Sequence, residues 1–254
     1  MGSRPGLHLH VEGHTLLHRL PAQVKLVGLL VFAIAVVGLP RGLWVPLGAA
    51  VLVGAALVAV TGVALKKVAP RLLVEVPFVV FALVLPFVAV GPRVSVGPFV
   101  VSVPGLEAAG TLLMKGTAAV LAATAFSVTT GARELVVGLQ RLRLPSTLVA
   151  ILSFMIRYAG VVGDELARMR IARASRGFTA RSVRSWPVLG RTLGTLFVRS
   201  YERGERVHVA MVSRGWTGSF PLLAARSPRV DEWALALVPA LAVTAIALVT
   251  RWTP

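Results

Sequence analysis

No cysteine occurs among the 254 residues. That excludes a disulfide framework, a zinc–thiolate site and an iron–sulfur cluster. Charge is also scarce. Asp, Glu, Lys and Arg make up 15% of the chain, against roughly 25% in an ordinary soluble domain. Apolar residues make up 56%, and mean hydropathy is +0.80. A disordered chain is excluded, and a soluble globular enzyme does not fit. The phosphate-cradling pattern Gly-x-x-x-x-Gly-Lys-Ser/Thr is absent, so this chain is not expected to hydrolyse ATP itself. No Ser-His-Asp set and no paired carboxylates suggest an enzyme, and no cofactor is expected. Acids are scarcest: 10 against 27 bases, a net charge of +17. A nucleic-acid partner is nevertheless not expected, because the bases lie between apolar runs of membrane length.

Those runs predict an all-α polytopic membrane protein, since a spanning helix needs about 20 mostly apolar residues. Leu26–Pro40 is a short span once extended back through Val24. Gly42–Leu65 is uncharged throughout. Leu72–Gly91 carries Glu75 near its start, with Pro77 and Pro86 as expected kinks. Leu106–Thr130 is interrupted by Lys115, and Trp233–Thr250 is the last. Five spans are expected. The first reads as a retained helix, not a cleaved signal peptide, because Leu39-Pro40-Arg41-Gly42 follows it in place of a small-residue cleavage site. Between spans 3 and 4, valines alternate around Gly97-Pro98 in Pro92–Pro104, which predicts a small hairpin.

Basic residues alternate in density along the connections. Arg4, Arg19 and Lys25 precede the first span; Arg41 alone follows it; then come Lys66, Lys67 and Arg71; then Arg93 alone; then a long basic region. The positive-inside rule places the N-terminus and residues 131–232 in the cytoplasm of a cell membrane protein. The expected organisation is an N-terminal segment with four spans over 1–130, a cytoplasmic domain over 131–232 and a C-terminal span over 233–254. The middle region holds 17 of the 27 bases and 7 of the 10 acids. Its first stretch, Leu144–Val162, is apolar but carries Arg157, which is costly at a bilayer centre. It is therefore expected to lie along the inner face or leave the membrane, with a six-span arrangement as the alternative.

Two segments of this region repeat each other. Ala172–Thr179 contains Ser175-Arg176-Gly177-Phe178-Thr179, and Ala210–Thr217 contains Ser213-Arg214-Gly215-Trp216-Thr217. Both follow apolar residues at helical spacing: Met155, Tyr158, Val162, Leu166 and Met169 before the first, Leu189, Leu193, Leu196, Val207 and Met211 before the second. Glycine after arginine fits a helix C-cap, and arginine complements the negative end of the helix dipole. Each helix would thus end on a guanidinium, a planar fork suited to a partner carboxylate. The plainer alternative is that both arginines cap helices or touch lipid headgroups.

These residues resemble the T component of energy-coupling factor transporters, whose two cytoplasmic coupling helices end in a small-residue–Arg–Gly motif. The resemblance extends to Leu17–Leu26, although the family's Asp is missing and Gln23 stands near its usual Arg. It includes Thr129-Thr130 through Glu134-Leu135, with Leu139, Leu142 and Leu144-Pro145, and Phe154–Tyr158 with its Arg-aromatic pair. Ser200–Val207 looks most like the cobalt-type branch, the CbiQ family. The resemblance implies a non-catalytic coupling subunit of an importer. Its partners would be two ABC-type ATPase subunits, a separate substrate-binding membrane subunit and membrane lipids. Arg176 and Arg214, flanked by Ser175, Gly177, Ser213 and Gly215, would dock on the ATPases. Phe178, Met211 and Trp216 are candidate groove contacts that could equally pack against each other. Cobalt is the leading substrate, with nickel or a vitamin as alternatives.

Other features read more plainly. His10, His14 and His18 would share a helical face, yet with His8 they fit a mobile basic tail better than a metal site. Lys115 is expected to serve a structural or subunit contact, with Glu75 or Glu107 as candidate partners. Gly48, Gly54 and Gly62 are expected to permit close helix packing. Glu202, Arg203, Glu205 and Arg206 read as a solvated ion-pair face. A competing function is a membrane scaffold that binds anionic lipid through its basic region. That reading needs charge without order, so Arg181 and Arg184 would matter as much as Arg176.

Overall fold

The computed structural model describes residues 15–63, 65–96, 99–179, 182, 185–218 and 227–252. The expectations for His8, His10 and His14, for the Gly97-Pro98 turn, and for Arg181 and Arg184 fall outside them. The described chain is almost wholly helical: α1 (Leu16–Arg19), α2 (Ala22–Gly38), α3 (Trp44–Val60), α4 (Leu65–Leu72), α5 (Val76–Val88), α6 (Val103–Thr129), α7 (Ala132–Arg141), α8 (Ser146–Ala174), α9 (Trp186–Val212) and α10 (Val230–Trp252). Prolines mark several starts. Pro21 and Pro145 precede α2 and α8, and proline occupies the first turn of α6 and α9, where its missing N–H has no helical acceptor to lose.

The protein is an all-α polytopic membrane protein. Pro70–Val88, Val103–Thr129, Ser146–Ala174 and Val230–Trp252 are long and apolar enough to cross a bilayer, and α2 and α3 are shorter apolar helices. At 17 residues each, α2 and α3 are about 25 Å long. Each of the five expected spans corresponds to a helix. Length and composition also admit α8 as a sixth. The second span is shorter than its uncharged run, because the chain turns at Thr61-Gly62 with Gly62 at φ 70°, and Leu65 already begins α4.

The chain divides into two compact units, residues 1–138 with 224–254 and residues 139–223. In the first unit α6 is the central element, packed against α2, α3 and α5, while α10 closes on α2 and α3. Its core joins Phe32 and Val36 of α2, Leu47 and Ala50 of α3, Ala118 and Ala122 of α6, and Ala240 and Val243 of α10. Small residues let the backbones approach. A Cβ added at Gly28 would lie 2.7 Å from the Ala236 carbonyl oxygen, and one at Gly54 would lie 3.2 Å from that of Ala118. Gly54 therefore meets its packing expectation. Gly48 and Gly62 have no atom near such a Cβ, so Gly62 serves the turn and not a helix contact.

The third span is broken near its start. Leu73–Glu75 form a 3-10 turn between α4 and α5. Pro77 causes the break: it donates no N–H and its ring crowds the carbonyl four residues back, at Leu73. Beyond α5, strands β1 (Arg93–Val96) and β2 (Phe99–Ser102) pair antiparallel, with Val96 opposite Phe99. This is the hairpin that the valine alternation predicted.

One lysine corrects a sequence expectation. Lys115 pairs with neither Glu75 nor Glu107. Its ammonium donates to the carbonyl oxygens of Val37 (2.8 Å) and Leu39 (2.7 Å). Those belong to the end of α2, where helical carbonyls lack partners and the dipole attracts a cation. Glu75 instead accepts a hydrogen bond from the Thr117 hydroxyl at 2.8 Å. At the opposite end of the same helix pair, Lys25 of α2 donates to the Thr129 carbonyl of α6 at 2.6 Å. Each helix caps the other with a lysine.

Candidate functional site

The second unit is built on α8 and α9, which run in opposite directions. Their contacts show this: Glu165 meets Arg199, while Phe154 and Met155 share a cleft with Met211 and Trp216. The pair touches over a short stretch, where Leu196 is the buried residue of α9. There Arg168 (2.6 Å) and Arg199 (2.7 Å) both grip the Glu165 carboxylate. Arg168 lies one turn away on the same helix, at a spacing where side chains meet. Arg199 lies on another helix, and no local pattern announced it.

Both repeats fold into the same cap. At the first, the Gly177 N–H donates to Ala174 O (3.0 Å) and the Phe178 N–H to Arg173 O (3.1 Å). At the second, the Gly215 N–H donates to Val212 O (2.9 Å) and the Trp216 N–H to Met211 O (3.0 Å). This is the Schellman pattern, which needs a left-handed residue just past the helix. Gly177 and Gly215 supply it at φ 74° and 82°. Ser175 and Ser213 each donate their hydroxyl to the carbonyl three residues back, Ala172 and Ala210, at 3.0 Å. Four of the five repeated positions therefore have a matching backbone or hydrogen-bond role; for the threonines the structure gives no account.

The aromatic of each repeat turns back onto its own unit. Phe178 lies under the Arg173 guanidinium, 5.6 Å from ring centroid to Cζ. Trp216 meets the His208 ring edge-on at 5.9 Å and lines a cleft with Met211. These three candidate groove contacts are thus half-buried against α8 and α9. Arg176 and Arg214 are exposed, and no described residue forms an ion pair with either. Because the helices are antiparallel, the tips lie at opposite ends of the pair. Eleven residues from Glu165 to Arg176 and fifteen from Arg199 to Arg214 separate them by up to about 40 Å at 1.5 Å per residue.

Residues 13–222 match the family described as CbiQ, cobalt transport protein. The chain belongs to that family. Among curated relatives, the cobalt transport protein CbiQ of Rhodobacter capsulatus is 28% identical over 134 residues, covering 53% of this chain and 54% of the relative. The nickel permease LarQ of Lactiplantibacillus plantarum is 28% identical over 118 residues, 46% of this chain and 42% of the relative. An uncharacterised protein of Methanocaldococcus jannaschii is 33% identical over 95 residues, 37% and 35% of the two chains. The chain spans about half or less of the length of the curated relatives it matches.

The family match includes the opening stretch with Lys25 and both tips. Among the described residues, no three His, Cys, Asp or Glu side chains cluster closely enough to hold a metal ion. His18 bonds instead to Thr15, with 2.6 Å between its Nδ1 and the hydroxyl. The ion-pair face on α9 is loose and exposed, as its composition predicted, with Arg206 and Glu202 4.0 Å apart.

Proposed function

We propose that this chain is the coupling subunit of an energy-coupling factor importer for a divalent transition metal. Cobalt is favoured by the family description and nickel follows from the LarQ relative. Residues 131–232 form the cytoplasmic coupling domain of a protein in the cell membrane, with its N-terminus on the cytoplasmic side. Arg176 and Arg214 each dock in a groove on one of two ATPase subunits. ATP-driven closure of that pair changes the angle between α8 and α9, and the motion passes to a separate substrate-binding membrane subunit.

The duplicated cap carries this reading. Two helices end with the same serine bond, the same left-handed glycine and an exposed guanidinium that no described residue pairs in a salt bridge. Lipid attraction needs charge but no such repetition. The short α8–α9 contact, pinned at Glu165, suits a pair of levers that pivot. The ends lie far enough apart for two receptors.

The test is purification of the tagged chain in mild detergent with its native partners. Arg176→Glu or Arg214→Glu should each release ATPase subunits, since losing a charge-assisted hydrogen bond costs about 1.5–3 kcal/mol, roughly 10- to 150-fold in affinity. Arg170→Ala, an exposed arginine of α8 away from the tips, should retain them. Equal loss from all three would favour the anionic-lipid scaffold.

A further inference from the structure

The two ends of the α8–α9 pair carry the same cap in different surroundings. Beside the first tip, the C-terminal half of α8 and the N-terminal half of α9 enclose an open cleft of about 600 Å³. Arg168, Arg173, Arg191 and Arg199 line it, and Glu165 is the one acid on its walls. That carboxylate is already gripped by Arg168 and Arg199. Three positive charges in the lining therefore stay unbalanced. No described residue forms an ion pair with Arg173 or Arg191. Arg173 donates from Nε to the Met169 carbonyl at 3.3 Å. Its Nη1 is shielded from solvent and has no acceptor among the described residues. Beside the second tip the cleft is mainly apolar. Phe154, Tyr158, Met211 and Trp216 line it, and Arg203 is its one arginine.

The place of the basic cleft bears on its occupant. Arg173 stands three residues before Arg176, about one helical turn. A stable protein interface covers about 800 Å² on each partner, far more than one guanidinium does. Whatever receives Arg176 therefore covers this cleft as well. Unbalanced guanidiniums repel a basic surface and favour carboxylates, which match their planar forks.

We propose that the surface receiving the first tip is acidic, and that its carboxylates enter this cleft and pair with Arg191 and Arg173. The inference rests on the docking reading of the tips and adds the chemistry of the receptor there. It makes Arg191 a docking residue that the repeated motif does not contain. Attachment at the second end, with one arginine in an apolar lining, depends less on salt.

The experiment uses the full complex, purified in mild detergent. Residues 139–223 contain no lysine, so Arg191→Lys places a single lysine amine in the α8–α9 unit. A water-soluble carbodiimide joins an amine only to a carboxylate in direct contact. Position 191 should become linked to an Asp or Glu of an ATPase subunit, as read by mass spectrometry of the cross-linked peptide. Arg206→Lys, on α9 outside both clefts, should form no link to that subunit. In parallel, Arg191→Gln should weaken binding of ATPase subunits to the full chain about 2- to 5-fold, the range of an exposed ion pair. The deficit should shrink at high salt. Arg206→Gln should leave affinity unchanged. A wild type that retains ATPase subunits while the Arg191→Lys amine links to none of their carboxylates overturns the acidic receptor and leaves docking by the tips intact. Equal weakening by Arg191→Gln and Arg206→Gln overturns it as well, since general charge then suffices. A wild type that retains no ATPase subunit overturns the docking reading itself, and this inference with it.

Discussion

At the scale of single residues, buried or exposed cations are assigned by what they find at helix ends. Lys115 interrupts an apolar run, which suggested a carboxylate partner, yet it caps the carbonyls of Val37 and Leu39. Replacing it by methionine leaves those oxygens without donors, and a desolvated unsatisfied group costs about 1–3 kcal/mol. Lys115→Met should therefore lower the unfolding free energy in detergent by that amount, and Lys115→Arg by less. An unchanged denaturation midpoint for Lys115→Met would refute the cap. Gly177 and Gly215 present the converse case, in which the backbone conformation matters more than any contact. A β-branched residue in the left-handed region costs about 1–2 kcal/mol or more. Gly177→Val should therefore rearrange the tip and weaken retention of the proposed ATPase partners without a large loss of helicity, while Gly177→Asn should be milder. Normal retention by the valine variant would show that the cap geometry is dispensable.

At the scale of elements, the broken third span illustrates how one residue sets a helix's course. Pro77 inside a continuous helix would cost about 3 kcal/mol. The 3-10 turn at Leu73–Glu75 already accommodates it. Pro77→Ala should consequently change stability by less than about 1 kcal/mol, not restore the full penalty. It should lengthen the distance between spin labels placed in α4 and α5 as the helix straightens. A gain near the full penalty would mean that the break is imposed by proline strain alone. The bond between Thr117 and Glu75, and the close fit of Gly116 against that carboxylate, argue that packing on α6 also holds it. Gly116→Val should push the Glu75 carboxylate off Thr117 and leave α5 seated on α6, because its Cβ would meet the Glu75 Oε1 at 2.9 Å and that oxygen ends a flexible side chain.

At the scale of the whole molecule, the antiparallel arrangement of α8 and α9 sends two identical tips in opposite directions. Sites farther than about 10 Å apart with no shared partner usually combine additively, within about 0.5 kcal/mol. Arg176→Glu and Arg214→Glu should therefore sum in their effect on affinity for the proposed ATPase pair, as measured by a double-mutant cycle. A coupling energy well above that bound would indicate that both tips engage one receptor element. The excess of 27 bases over 10 acids adds a long-range attraction that salt screens. The contribution specific to the tips should survive salt better than the general basic charge does.

The sequence by itself determined the class of molecule and most of its elements. Apolar runs of membrane length can only satisfy their backbone groups as helices in lipid, so the spans followed from composition and order. The two Ser-Arg-Gly caps were legible because a Schellman end depends on neighbouring residues alone, and glycine is needed wherever φ is positive. Tertiary structure decided what depends on distant partners. Neither the reciprocal lysine caps, which join Lys25 to Thr129 and Lys115 to Leu39, nor the grip of Arg199 on Glu165 has a local signature. The inward turn of Phe178 and Trp216 was likewise undetermined, since an aromatic beside a helix end can pack on its own helix or on a partner. Only the placement of Arg173 and His208 beside them settled that choice, because a hydrogen bond or ring contact is made by whichever group the fold brings within reach.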